Sequence, residues 1–142
     1  MWDADQRSRL AFETKLLAQK MPHFQFYDLS GSTYVSGWAH TTSGMQYQLK
    51  LKLPSHYPDG QPKLYVLSPW TLRKYDGGSI NSEGSSHAFH TYSNEYGCVQ
   101  ICHTRDWHAG MTCLLVLEKA HLWLEAYHGH LRTGRDLAEF LR

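Results

Sequence analysis

The sequence predicts an α+β domain, and three runs carry that prediction: a helical opening over 5–20, a strictly alternating strand over 45–53, and a long helix face over 112–131. Helical spacing brackets the two ends, while period-two alternation fills the middle, the order expected of helices packed against an antiparallel sheet. At 142 residues the chain has the size of one domain with one core. No repeat, linker or second domain is visible, so residues 1–142 read as a single unit.

Leu10, Leu17 and Met21, with Phe12 and Leu16 beside them, recur at helical spacing until Pro22 stops the pattern. Phe24 and Phe26 then alternate with polar partners up to Ser30-Gly31-Ser32, and a second β-rich run covers 34–39 before the turn at Ser43-Gly44. Met45, Tyr47, Leu49, Leu51 and Leu53 alternate with Gln46, Gln48, Lys50 and Lys52, the signature of a strand wetted on one face. After a Pro54 to Pro62 connection, 64–67 gives a fourth strand, so a four-stranded antiparallel meander is expected.

The stretch 68–96 is poor in aliphatic residues and rich in turn formers, Gly77-Gly78, Asn81-Ser82 and Gly84-Ser85-Ser86 among them. It is expected to be irregular, and a connection that long inside a compact domain is usually functional or disordered. A short apolar run follows over 98–102. From Thr112 the positions Cys113, Leu117, Ala120, Leu124, Tyr127 and Leu131 mark one helix face, ended by Thr133-Gly134, and a short last helix is expected over 135–141.

Composition excludes several classes of function. A net charge of +1, from 14 basic and 13 acidic side chains with no basic run, gives no footprint for nucleic acid or an anionic membrane. No stretch approaches the ~20 apolar residues of a bilayer span, and the polar start Met1-Trp2-Asp3-Ala4-Asp5 lacks the regions of a signal peptide. A cytoplasmic protein is expected, in which Cys98, Cys102 and Cys113 stay reduced.

Reactive side chains gather between His87 and Trp107: His90, Asn94, Cys98, Cys102, His103 and Asp106. Cys113, on the apolar helix face, reads as buried filler. Cys102 instead lies where the 99–101 apolar run meets His103-Thr104-Arg105-Asp106, which leaves its sulfur near solvent with His103 placed to favour the thiolate. Cys98 follows Gly97 and takes the role only if the loop is registered differently. Zinc is an alternative with Cys98, Cys102, His87, His90, His103 and His108 as donors, but the Cys-x3-Cys spacing lacks a distal Cys/His pair, so no metal and no cofactor is expected. A protease-like Cys-His pair is a further alternative for which no third group is evident.

The element order and these residues together resemble the ubiquitin-conjugating enzymes over essentially the whole chain. Tyr57-Pro58-Asp59-Gly60-Gln61-Pro62 is similar to the family's Tyr-Pro-x-x-x-Pro turn before strand four. In the family a His-Pro-Asn tripeptide places an Asn eight positions before the nucleophilic Cys. Asn94 is eight before Cys102, preceded by Tyr92 and Ser93 instead of His and Pro, and His90 is the candidate for the missing His at an offset two residues away. Trp107 and the 112–131 helix occupy the places of the family's Trp and long helix. The stretches Ile101-Cys102-His103, Asp106-Trp107, Trp123-Leu124-Glu125-Ala126-Tyr127 and Leu131-Arg132-Thr133-Gly134 look most like the bacterial members found in cyclic-oligonucleotide anti-phage signalling (CBASS) operons.

The resemblance implies the ubiquitin-conjugating-like fold and a catalytic set of Cys102, Asn94 and His90. Cys102 would form a thioester with the C-terminal residue of a cGAS-like nucleotidyltransferase, or of a ubiquitin-like protein. Asn94 would stabilise the oxyanion, and Asp106 or His90 would take the proton of the incoming nucleophile. The chain has no phosphate-cradling Gly-rich motif, so activation by ATP is expected from a separate activating enzyme, unless the chain works without it. An inactive binding module of the same fold is the alternative, favoured by the altered His-Pro-Asn stretch.

Overall fold

The computed structural model describes residues 1–141. Its first element, α1 (Ala4–Lys20), starts where the Asp3 carboxylate accepts the Gln6 N–H while the Gln6 side chain accepts the Asp3 N–H, a reciprocal cap on two otherwise unpaired donors. Leu10, Glu13 and Leu17 face inward, whereas Phe12 stays more than half exposed.

Four strands follow: β1 (Phe24–Tyr27), β2 (Tyr34–His40), β3 (Gln46–Lys52) and β4 (Lys63–Ser68), each antiparallel to the next. The expected meander is present but is not the whole sheet. Two further strands, β5 (Thr91–Glu95) and β6 (Cys98–Ile101), form a hairpin whose second strand pairs with β4. The sheet therefore has six strands in the order β1-β2-β3-β4-β6-β5.

The 68–96 stretch is correspondingly less irregular than its composition predicts. Arg73 bridges Ser79, a single 3-10 turn runs over Ile80–Glu83, and β5 closes the segment. The β5-β6 turn is made by Tyr96 and Gly97, with φ of 55° and 74°. Two successive positive φ values suit the right-handed twist of a tight hairpin. At Gly97 a Cβ would also lie 2.6 Å from the Trp70 ring, so the position excludes a side chain on two counts.

Phe24, Gly37, Leu49, Val66 and Val99 are in register across five strands and so share one face of the sheet. That face is the core side, since Phe24, Leu49, Val66 and Val99 are all buried. Two C-terminal helices complete the chain: α2 (Cys113–Thr133), which ends on a left-handed Gly134, and α3 (Leu137–Phe140). Leu10 and Leu17 of α1 and Val116, Leu117, Ala120, Trp123 and Leu124 of α2 join the core-side strand residues in one apolar cluster. Among the described residues no helix is long and apolar enough to cross a membrane.

Candidate active site

Cys102 is the first residue beyond β6, at the corner where the β5-β6 hairpin meets α2. Its backbone N–H donates to the His90 carbonyl at 2.9 Å, continuing the ladder one step past the Thr91–Ile101 pair. Ser86 and Thr91 exchange backbone hydrogen bonds at 3.0 Å, clasping the His87–His90 loop between them. His90 sits in this loop at φ 51°, a left-handed conformation that His tolerates better than most side chains. The Trp123 indole of α2 donates to the Phe89 carbonyl at 2.9 Å and fixes the loop from below.

The chain beyond Cys102 is pinned as firmly. The buried His103 ring donates through Nε2 to the Pro62 carbonyl at 2.8 Å, the Tyr92 hydroxyl donates to the Thr104 carbonyl at 2.8 Å, and the Trp107 indole donates to the Pro58 carbonyl at 2.8 Å. The Tyr57 to Pro62 turn is thus a bracket for the site, with Trp107 lying against the Tyr57 ring. His103 Nδ1 is buried without a partner.

Of the three thiols, Cys98 and Cys113 are buried and Cys102 alone is partly exposed. Burial pushes the pKa of Cys98 up, and that of Cys113 well up. Neither is suited to attack at neutral pH. Cys102 opens instead onto two hollows that share it and His90. One, of about 240 Å³, is framed by Lys119, Leu122, Trp123 and Leu141. The other, of about 180 Å³, is framed by Ser85, Ser86, His87, Tyr92 and Arg105.

His90 is held below its ordinary pKa by burial first and then by the nearby His87 and Arg105, so it is a neutral base at pH 7. The Tyr92 hydroxyl is pushed above its ordinary value, chiefly by burial and next by hydrogen bonding with the Cys102 side chain. Tyr92 therefore stays protonated, with its one proton given to the Thr104 carbonyl. The tripeptide comparison gives Tyr92 no role of its own. The readable signal was Thr91-Tyr92-Ser93 as a strand, which puts Tyr92 beside Gln100 on the β6 neighbour.

Two expected residues are not brought to the thiol. Asn94 lies in β5 near the Tyr96-Gly97 turn, four residues along from His90, which faces Cys102. At ~3.3 Å per strand residue it is on the order of 10 Å from the thiol, too far for an amide side chain to reach. Its Nδ2 instead donates to the Asn81 carbonyl at 2.5 Å, while Oδ1 is buried without a partner. Equal spacing from a cysteine gave the expectation; the hairpin fold sends that spacing to the opposite end. Asp106 is exposed and lines neither hollow.

Among the described residues no group of three or more His, Cys, Asp and Glu side chains is arranged to hold a metal ion. Compared with protein-family models, curated proteins and solved structures, the chain gives no match.

Proposed function

We propose that this chain is a cysteine-dependent protein-conjugating enzyme of ubiquitin-conjugating-like fold, which carries a partner protein's C-terminus as a thioester on Cys102. The observation that carries the reading is that Cys102 is the one partly exposed thiol and lies where two hollows meet beside a neutral histidine. The helix, antiparallel sheet and long helix support the fold, as does the Tyr57 to Pro62 turn docked under Trp107.

In the loading step the Cys102 sulfur attacks the carbonyl carbon of the activated C-terminus, its proton passes to His90, and the tetrahedral oxyanion collapses as the bond from that carbon to the activating group breaks and the group leaves with the electron pair. Asn94 is remote, and the Tyr92 hydroxyl has its one proton on the Thr104 carbonyl, so it donates to the oxyanion only by leaving that carbonyl. An incoming amine then attacks the thioester carbonyl and gives up a proton, the carbon–sulfur bond breaks, and the thiolate leaves with the electron pair and takes up a proton. The carried protein would be a cGAS-like nucleotidyltransferase or a ubiquitin-like protein, loaded with the help of a separate activating enzyme, and the setting would be anti-phage defence.

Incubation with a cGAS-like nucleotidyltransferase and an activating enzyme tests the reading. Wild type gains a reductant-sensitive adduct, and Cys102→Ser converts it to a reductant-stable ester. An adduct that persists in Cys102→Ala rejects Cys102 as the carrier. A second reading, a binding module without chemistry, is supported by the distance of Asn94 from Cys102. Retained binding of the same partner with no covalent mass gain would establish it.

A further inference from the structure

The smaller hollow beside Cys102 is built from donors. Ser85, Ser86, His87, His90 and Arg105 surround it with the thiol, and none of its lining residues bears a carboxylate. Hydrogen-bond accounting leaves most of these donors free. Arg105 spends one guanidinium N–H on His87 Nδ1 at 2.8 Å, and the remaining donors of the fork have no partner within the protein among the described residues. Because an arginine can only donate, His87 Nδ1 must accept, which leaves Nε2 to carry the ring proton as a further donor. The Ser86 hydroxyl accepts the Phe89 N–H at 3.2 Å, and its own O–H is left to give. Thr91 and Tyr92, by contrast, are committed to the Gly84 and Thr104 carbonyls.

Convergent hydroxyl, imidazole and guanidinium donors around one small space suit an anion with several oxygens, and an arginine fork matches phosphate in particular. We propose that this hollow receives the phosphoryl group of an acyl phosphate or acyl adenylate, so that Cys102 takes its acyl group directly from a mixed anhydride. This deepens the thioester reading of Cys102 and rests on it. The sulfur attacks the carbonyl carbon, a carbon–sulfur bond forms, and the bond from that carbon to the phosphoryl oxygen breaks. The phosphate leaves with the electron pair, paired with Arg105, and the thiol proton goes to His90. Nothing is oxidised or reduced. Donors placed where the leaving charge develops lower that barrier.

The experiment compares acetyl phosphate, acetyl adenylate and the uncharged thioester S-acetyl-N-acetylcysteamine as donors to the full chain. S-acetylation of Cys102 is read by intact mass and by its release with hydroxylamine. Loading by a phosphorus donor, divided by loading from the uncharged thioester, is expected to fall about tenfold or more in Arg105→Ala. Inorganic phosphate is expected to slow only the phosphorus donors. Preference for acetyl phosphate over acetyl adenylate assigns a terminal phosphoryl group, and the reverse assigns a nucleotide. A ratio unchanged in both Arg105→Ala and His87→Ala, or loading by the uncharged thioester alone, overturns this proposal and leaves the thioester reading standing. Failure of all three donors to modify Cys102 overturns both.

Discussion

The Glu13 carboxylate in α1 accepts the backbone N–H of Cys113, the first residue of α2, at 2.6 Å across 100 positions of sequence. Its other oxygen accepts from Arg9 Nε at 2.7 Å and from the Tyr57 hydroxyl, and Arg9 also donates to the Ala109 carbonyl at 2.6 Å. One buried carboxylate thereby joins α1, the turn that brackets the site, and the start of α2. Removing it leaves a helix N–H and a hydroxyl without an oxygen acceptor and the Arg9 guanidinium without its counter-charge.

Glu13→Ala is therefore expected to destabilise the fold by about 3 kcal/mol, the scale for breaking a buried charged pair on one side. Tyr57→Phe removes one hydrogen bond and is expected to cost about 1 kcal/mol. Urea unfolding midpoints check both values. Equal midpoints for Glu13→Ala and wild type would show that the carboxylate does not join these elements.

The three thiols should separate in reactivity. Iodoacetamide at neutral pH is expected to modify Cys102 first, because burial keeps Cys98 and Cys113 both inaccessible and protonated. Peptide mapping over time gives the order. Early labelling of Cys98 would transfer the nucleophile's role to the β5-β6 turn.

Asn94 and Tyr92 are expected to exchange the roles that motif spacing assigns. Asn94→Ala removes the bond to the Asn81 carbonyl and costs about 1 kcal/mol of stability without slowing acyl transfer. Tyr92→Phe slows transfer more than it lowers stability. Single-turnover rates beside unfolding midpoints separate the two. A loss of about a hundredfold in Asn94→Ala would return the amide to the oxyanion.

Stability should fall in mild acid. Burial holds the buried His103 below its ordinary pKa, and His90 and His128 are also lowered, with burial the largest cause in each. A depressed folded pKa means that the unfolded chain takes up protons first as pH drops below about 6.5. The fold keeps its full stability above that value and loses it as pH falls toward the folded pKa values. Unfolding midpoints from about pH 8 to about pH 5 measure the slope, which His103→Gln is expected to flatten.

The contrast between what was and was not legible in sequence follows from the length of each pattern. β3 and α2 were legible because strict alternation and a repeated apolar face persist over several turns or pleats. β5 was not, because Thr91-Tyr92-Ser93-Asn94-Glu95 is short and polar, and Tyr96-Gly97 is a weaker hairpin signal than Asn-Gly. Missing that hairpin displaced Asn94 as well, since a residue count along the chain says nothing of distance once the chain turns back. Cys102 was legible as the exit of an apolar run. Lys119, Trp123 and Leu141 meet it only through tertiary packing, which leaves no local trace.

A peptide thioester tests the role of the Cys102 sulfur with a single mapped product. Wild-type chain incubated with such a thioester at neutral pH is expected to gain the acyl mass on the peptide containing Cys102. That mass should be lost on hydroxylamine treatment and absent from Cys102→Ala. Acyl mass mapped to Cys98 or Cys113 in the folded protein, or a Cys102→Ala variant that gains it equally well, would show that Cys102 is not the acyl carrier.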